Sequence, residues 1–68
     1  MKIDSTAISS IDYAARHRRL LVRFHSGERY AYDRVPAEVH RSFIEAESKG
    51  RFFQAEILGR YPYRRLDS

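Results

Sequence analysis

One short run constrains this chain more than any other. From Arg19 to Phe24 the sequence places Leu20, Val22 and Phe24 on one side, and from Glu28 to Asp33 it carries Tyr30 and Tyr32 at the same period of two. Two such runs separated by His25-Ser26-Gly27 define a β-hairpin. The turn decides where the tyrosines point, because a slip of one residue sends every side chain to the other face. A two-residue turn at Ser26-Gly27 sets Arg23 against Tyr30 and puts both tyrosines on the face of Leu21. A three-residue loop with Gly27 in the left-handed conformation sets Val22 against Tyr30 and Leu20 against Tyr32. Ser26 tolerates a positive φ poorly, which favours the longer loop. That register gathers Leu20, Val22, Phe24, Tyr30 and Tyr32 into one apolar face.

The flanking sequence builds outward from this hairpin. Ile11 and Tyr13 alternate with Ser10 and Asp12, predicting a first strand of about four residues that is joined to the hairpin through the basic segment Ala14 to Arg18. Pro36, read as the first helical residue, and Glu38 open a helix. Its stripe is Val35, Val39 and Phe43, widened by Ile44 and Ala46. Ser48-Lys49-Gly50 ends that helix, and Ser48 can cap the next one, which covers Arg51 to Leu58 with Phe53 and Ile57 inward. Gly59 stops the second helix, and Pro62 forbids its continuation. Residues 60–68 therefore read as an extended strap, and residues 1–7 as a lead-in segment rich in turn formers. The expected fold is α+β: a three-stranded antiparallel β-meander followed by two helices packed on one face, as a single domain over residues 1–68.

A chain of 68 residues buries only about 60% of its unfolded surface, so its margin of stability is thin. It has no cysteine, hence no disulfide or thiolate metal site to supplement the core. No apolar run approaches membrane-spanning length, and the N-terminus lacks the layout of a signal peptide, so the expectation is a cytoplasmic protein with no membrane partner. Catalytic constellations are also missing. His17, His25 and His40 have no metal-ligand spacing to another His or carboxylate, so no metal or other cofactor is expected. No nucleophile elbow or glycine-rich phosphate loop is present, and the expectation is a binding module, not an enzyme.

Charge supplies the positive indication. Eleven of the 13 cations are arginine, whose planar fork pairs with phosphate and stacks on rings. Three clusters stand out. Ser48, Lys49, Gly50 and Arg51 lie at the joint between the helices, where free backbone N–H groups and two cations suit an anion. Arg60, Tyr63, Arg64 and Arg65, with Tyr61, interleave rings and guanidinium groups in the tail, a pattern that stacks unpaired bases while holding phosphates. Arg16-His17-Arg18-Arg19 forms a basic loop that ordinary solvation also explains. Tyr30 and Tyr32 remain open to two readings, core residues beneath the helices or a base-stacking platform.

Taken together, Leu20-x-Val22-x-Phe24-x-Ser26-Gly27-x-x-Tyr30-x-Tyr32-x-x-Val35-Pro36, then Ser48-Lys49-Gly50-Arg51-x-Phe53 and Tyr61-Pro62-Tyr63, resemble the KTSC domain family. That family takes its name from the C-terminus of some lysyl-tRNA synthetases and also occurs as free-standing bacterial proteins of about this length. The resemblance runs from Asp4-Ser5 to Leu66 and implies RNA binding, with no catalytic residue to carry over. Ala14 departs from the turn-former expected after Tyr13, which bears on the first loop alone. The resulting expectation is a nucleic-acid-binding module, RNA before DNA, acting through Lys49, Arg51, Arg60, Arg64 and Arg65 with Tyr63 stacking. The alternative is a protein-interaction or homodimerisation module. Its basis is a charge split: residues 37–48 carry −2, from Glu38, Glu45 and Glu47 against Arg41, within a positive surround.

Overall fold

A computed structural model describes residues 8–66; the expected lead-in segment 1–7 lies outside the described residues. Strands β1 (Ile8–Ala14), β2 (Arg19–Phe24) and β3 (Arg29–Tyr32) form an antiparallel meander. Helices α1 (Ala37–Glu45) and α2 (Lys49–Phe52) follow, and α2 runs on as a π-helical turn over Phe53–Ile57. The fold is α+β with both helices on one face of the sheet. The expected strap is in fact a fourth strand, β4 (Tyr63–Arg65), antiparallel to β3, and the sheet order is β1-β2-β3-β4. Pro62 ended the helical pattern without betraying a strand. Its carbonyl accepts from Asp33 N–H at 2.9 Å and starts the ladder that Leu66 N–H closes on the Arg29 carbonyl at 2.8 Å.

The hairpin takes the three-residue loop. Phe24 and Glu28 bracket it, Phe24 N–H donates to the Glu28 carbonyl at 2.9 Å, and Gly27 has φ 103°. Val22 opposes Tyr30 and Leu20 opposes Tyr32. β1 is longer than its alternation suggested, because a bulge at Ser9 interrupts the period. The bulge matters to the core: Ile8 shares sequence parity with Ser10 and Asp12, yet it turns inward beside Phe24.

Both ends of α1 and the start of α2 differ from the sequence reading. Pro36 is the cap of α1, extended at ψ 151°, not its first helical residue, and its carbonyl accepts from Val39 N–H and His40 N–H. α1 ends at Glu45 on an extended Ala46, so the Ser48-Lys49-Gly50 joint does not terminate it. Gly50 lies inside α2, where Ser48 Oγ caps the first turn by accepting from Arg51 N–H at 3.2 Å. Leu58 N–H reaches back five residues to the Phe53 carbonyl at 2.8 Å, and Gly59, at φ 82°, then turns the chain toward β4.

The core joins the sheet to the helices through Leu20, Val22, Tyr32, Val35, Phe43 and Ile57, all essentially without solvent contact. Phe53 crosses edge-on to both Phe24 and Tyr32, and Phe43 stacks on Phe52 at 5.2 Å. Ile44 does not widen the stripe; it is exposed. His40 is half-buried and stacks on Tyr13 at 4.6 Å, while the Tyr13 hydroxyl donates to the Val35 carbonyl.

Candidate nucleic-acid interface

Alternation along β4 sorts the tail residues. Tyr63 opposes Tyr32 and Arg65 opposes Tyr30, so both lie on the helix side of the sheet; Arg64 opposes Ala31 and lies on the other, open side. Tyr63 stacks on Tyr32 at 5.4 Å and meets Tyr30 at 5.8 Å, yet its residue surface is 57% exposed. One ring of the tail is thus held from beneath by two others while its outer side faces solvent. A hollow of about 210 Å³ opens beside it, walled by Tyr63, Tyr30, Phe53 and Leu58. Arg65 stands at the rim, 3.9 Å from Glu28.

The remaining predicted residues sit in different circumstances. Lys49 Nζ donates to the Ala46 carbonyl at 2.8 Å, which satisfies the end of α1. Arg60 Nε donates to the Ala55 carbonyl at 3.2 Å. Arg51 is exposed on α2, and Gly50 is a helical residue beside it. Tyr61 packs against the core and Tyr32 belongs to it, while Tyr30 bridges core and surface. The structure therefore brings Tyr63 and Arg65 together on one face and sets Arg64 across the sheet from them.

Sequence reasoning passed over Arg23 and Arg29. They oppose each other directly on β2 and β3, on the open side with Arg64, and both are exposed. The signal was present, since the register that pairs Val22 with Tyr30 also pairs these two. On the same side Arg19 Nε donates to Asp33 Oδ1 at 2.8 Å, and that bond, with Arg64 and Arg34 nearby, holds the Asp33 carboxyl below the usual carboxylate range.

Burial pushes the Tyr32 hydroxyl up to about 12, with Tyr63 and Tyr30 adding to the shift. The unfolded chain ionises this group near pH 10, before the folded one does, so the raised value contributes stability that is full below about pH 10. That contribution fades as pH rises toward the folded value. Urea unfolding at about pH 11 should show a loss of about 1 kcal/mol relative to about pH 9 that Tyr32→Phe removes. An equal loss in Tyr32→Phe would assign it to other groups.

Among the described residues no group of three or more His, Asp or Glu could hold a metal ion, and no helix is long and apolar enough to cross a membrane. The fold is that of a small α+β domain, a four-stranded antiparallel sheet with both helices on one face. The family model of the KTSC domain matches residues 4–61, and the chain belongs to that family. The crystal structure of a KTSC domain protein from Yersinia pestis superposes with a TM-score of 0.87 at 37% identity, over 98% of this chain and 94% of that one. An uncharacterized protein of Stutzerimonas stutzeri is 36% identical, over 96% of this chain and 93% of its own length. The lysine–tRNA ligase of Nostoc punctiforme is 30% identical over 97% of this chain, which spans 12% of the ligase.

Proposed function

We propose that this domain is a non-catalytic nucleic-acid-binding module that prefers RNA with unpaired bases. The observation that carries the reading is Tyr63, a ring 57% exposed yet fixed against Tyr32, on an edge strand that carries Arg65 on the same face and Arg64 on the other. A ring held in place stacks a base at little entropic cost, while the Arg65 guanidinium on the same face and Arg64 on the opposite side of the strand engage neighbouring phosphates. Arg51, Arg60 and Lys49 add to the net positive field that draws a polyanion to the domain. The preference for RNA is supported by relatives that are lysine–tRNA ligases, whose named substrate is a tRNA.

Fluorescence polarisation with a short single-stranded RNA tests the proposal. With three phosphates engaged, affinity should fall about 20-fold between about 50 mM and about 200 mM salt. No binding at the lower salt, or an affinity indifferent to salt, overturns it. A second reading rests on the position of β4 at the edge of the sheet with Tyr63 and Leu66 exposed, which suits a protein partner or a second copy. Light scattering over a range of concentrations separates the two, since the RNA-binding reading expects a constant monomer mass.

A further inference from the structure

We propose that the open face of the sheet carries a second site, centred on Arg23 and Arg29, that takes a phosphate of a polynucleotide backbone. It lies across the sheet from Tyr63 and does not depend on the stacking role given to that ring. The first ground is the register. Arg23 and Arg29 are direct cross-strand partners, and like charges placed so destabilise a sheet. Both are exposed, and among the described residues neither has a carboxylate within 4.0 Å, the ion pairs there being Arg19–Asp33 and Arg65–Glu28. A repulsive pair left in this state is relieved by an anion seated between its members.

The second ground is the shape and chemistry around the pair. A hollow of about 220 Å³ lies against it, lined by Ser10, Leu21 and Leu66 together with the two arginines. Ser10 stands directly across from Arg23 on β1 and can add a hydroxyl donor. Asp12 lines the same hollow opposite Leu21 and offsets part of the charge, one carboxylate against two guanidinium groups. Arg64, opposite Ala31, extends the positive surface toward β4. Planar forks match phosphate oxygens two at a time. The apolar members of this face are Leu21, Ala31 and Leu66, with no ring among them to stack a base. What fits is therefore the backbone of a nucleic acid, without its bases.

An abasic oligonucleotide, a sugar–phosphate chain carrying no bases, is the discriminating probe. The wild-type protein should bind it with strong salt dependence, Arg23→Gln and Arg29→Gln should each weaken binding about 10-fold, and Tyr63→Ala should leave it unchanged. Melting the variants without ligand gives a readout independent of binding. At low salt each single glutamine variant should melt no lower than wild type, because it removes repulsion. Wild-type affinity in both folded variants overturns the site, as does failure of the wild-type protein to bind the abasic chain. A lowered melting temperature in both variants overturns the premise of repulsion. Competition by pyrophosphate that depends on Arg23 and Arg29 supports the phosphate chemistry, whereas binding of pyrophosphate without the abasic chain overturns the polynucleotide assignment. Loss of stacking in Tyr63→Ala on base-bearing RNA reports on the other face alone, so the two readings fail separately.

Discussion

Phe43→Ala should leave the chain without a cooperative unfolding transition at room temperature, or with a melting point lowered by tens of degrees. Phe43 has no solvent exposure and stacks on Phe52 at 5.2 Å and on Phe53 at 6.5 Å, so it ties α1 to α2 and the π turn. Truncating a buried phenylalanine costs about 3–5 kcal/mol, the lost transfer energy plus the cavity that remains. A domain of this length has a total stability of roughly 3–10 kcal/mol. Each kcal/mol moves the melting point of so small a domain by about 4–8 °C. No disulfide shares the burden, and the two helices have few turns with which to hold their places alone. Phe43→Leu keeps most of the volume and should cost less than about 1.5 kcal/mol, preserving the transition. Circular dichroism melts of the three proteins check this. An alanine variant that melts within a few degrees of wild type would show that the helices are anchored elsewhere.

The parts of this fold that the sequence reveals are those governed by one residue with a strict geometric demand. Gly27 is such a residue: with φ 103° it fixes the loop length, and the loop length fixes the faces of Tyr30 and Tyr32. Gly59 and the Ser48 cap acted in the same way for the second helix. Harder to read were the places where a small irregularity overrides periodicity. The bulge at Ser9 hid half of β1 by breaking its alternation. Gly50 resembled a helix stop, but a glycine within the first turn of a capped helix serves equally well, and α1 ended earlier on Ala46 without one. β4 was hidden by its brevity and by Pro62, and that omission governed the view of the site. Taken as a strap, Tyr63, Arg64 and Arg65 form one surface. As a strand they alternate, and Arg64 joins Arg23 and Arg29 on the opposite side of the sheet. Lys49 and Arg60 were legible as cations, but their hydrogen bonds to the Ala46 and Ala55 carbonyls depend on local turns that spacing does not disclose.

Tyr63→Ala should weaken binding of a short unstructured RNA by about 5- to 150-fold, the range given by about 1–3 kcal/mol for the loss of one base–aromatic stack. The ring is at the surface, so the fold should lose little: Tyr32 and Tyr30 keep their contacts with each other and Tyr32 keeps Phe53. Tyr63→Phe retains the π face and should bind within about twofold of wild type, if stacking and not the hydroxyl carries the contact. Charge gives the decisive control. Tyr63→Ala removes no cation, so its deficit should be the same factor at every salt concentration, with the slope of log affinity against log salt unchanged. Arg64→Gln removes one, and should lower the magnitude of that slope by about 0.7 for a single strand if it meets a phosphate. An alanine variant that binds as wild type does, or that changes the slope as an arginine variant does, would deny Tyr63 its stacking role. A uniform deficit from Tyr63→Ala beside a shallower slope from Arg64→Gln would instead mean that bases and phosphates are held by residues consecutive in β4, on opposite sides of a single strand.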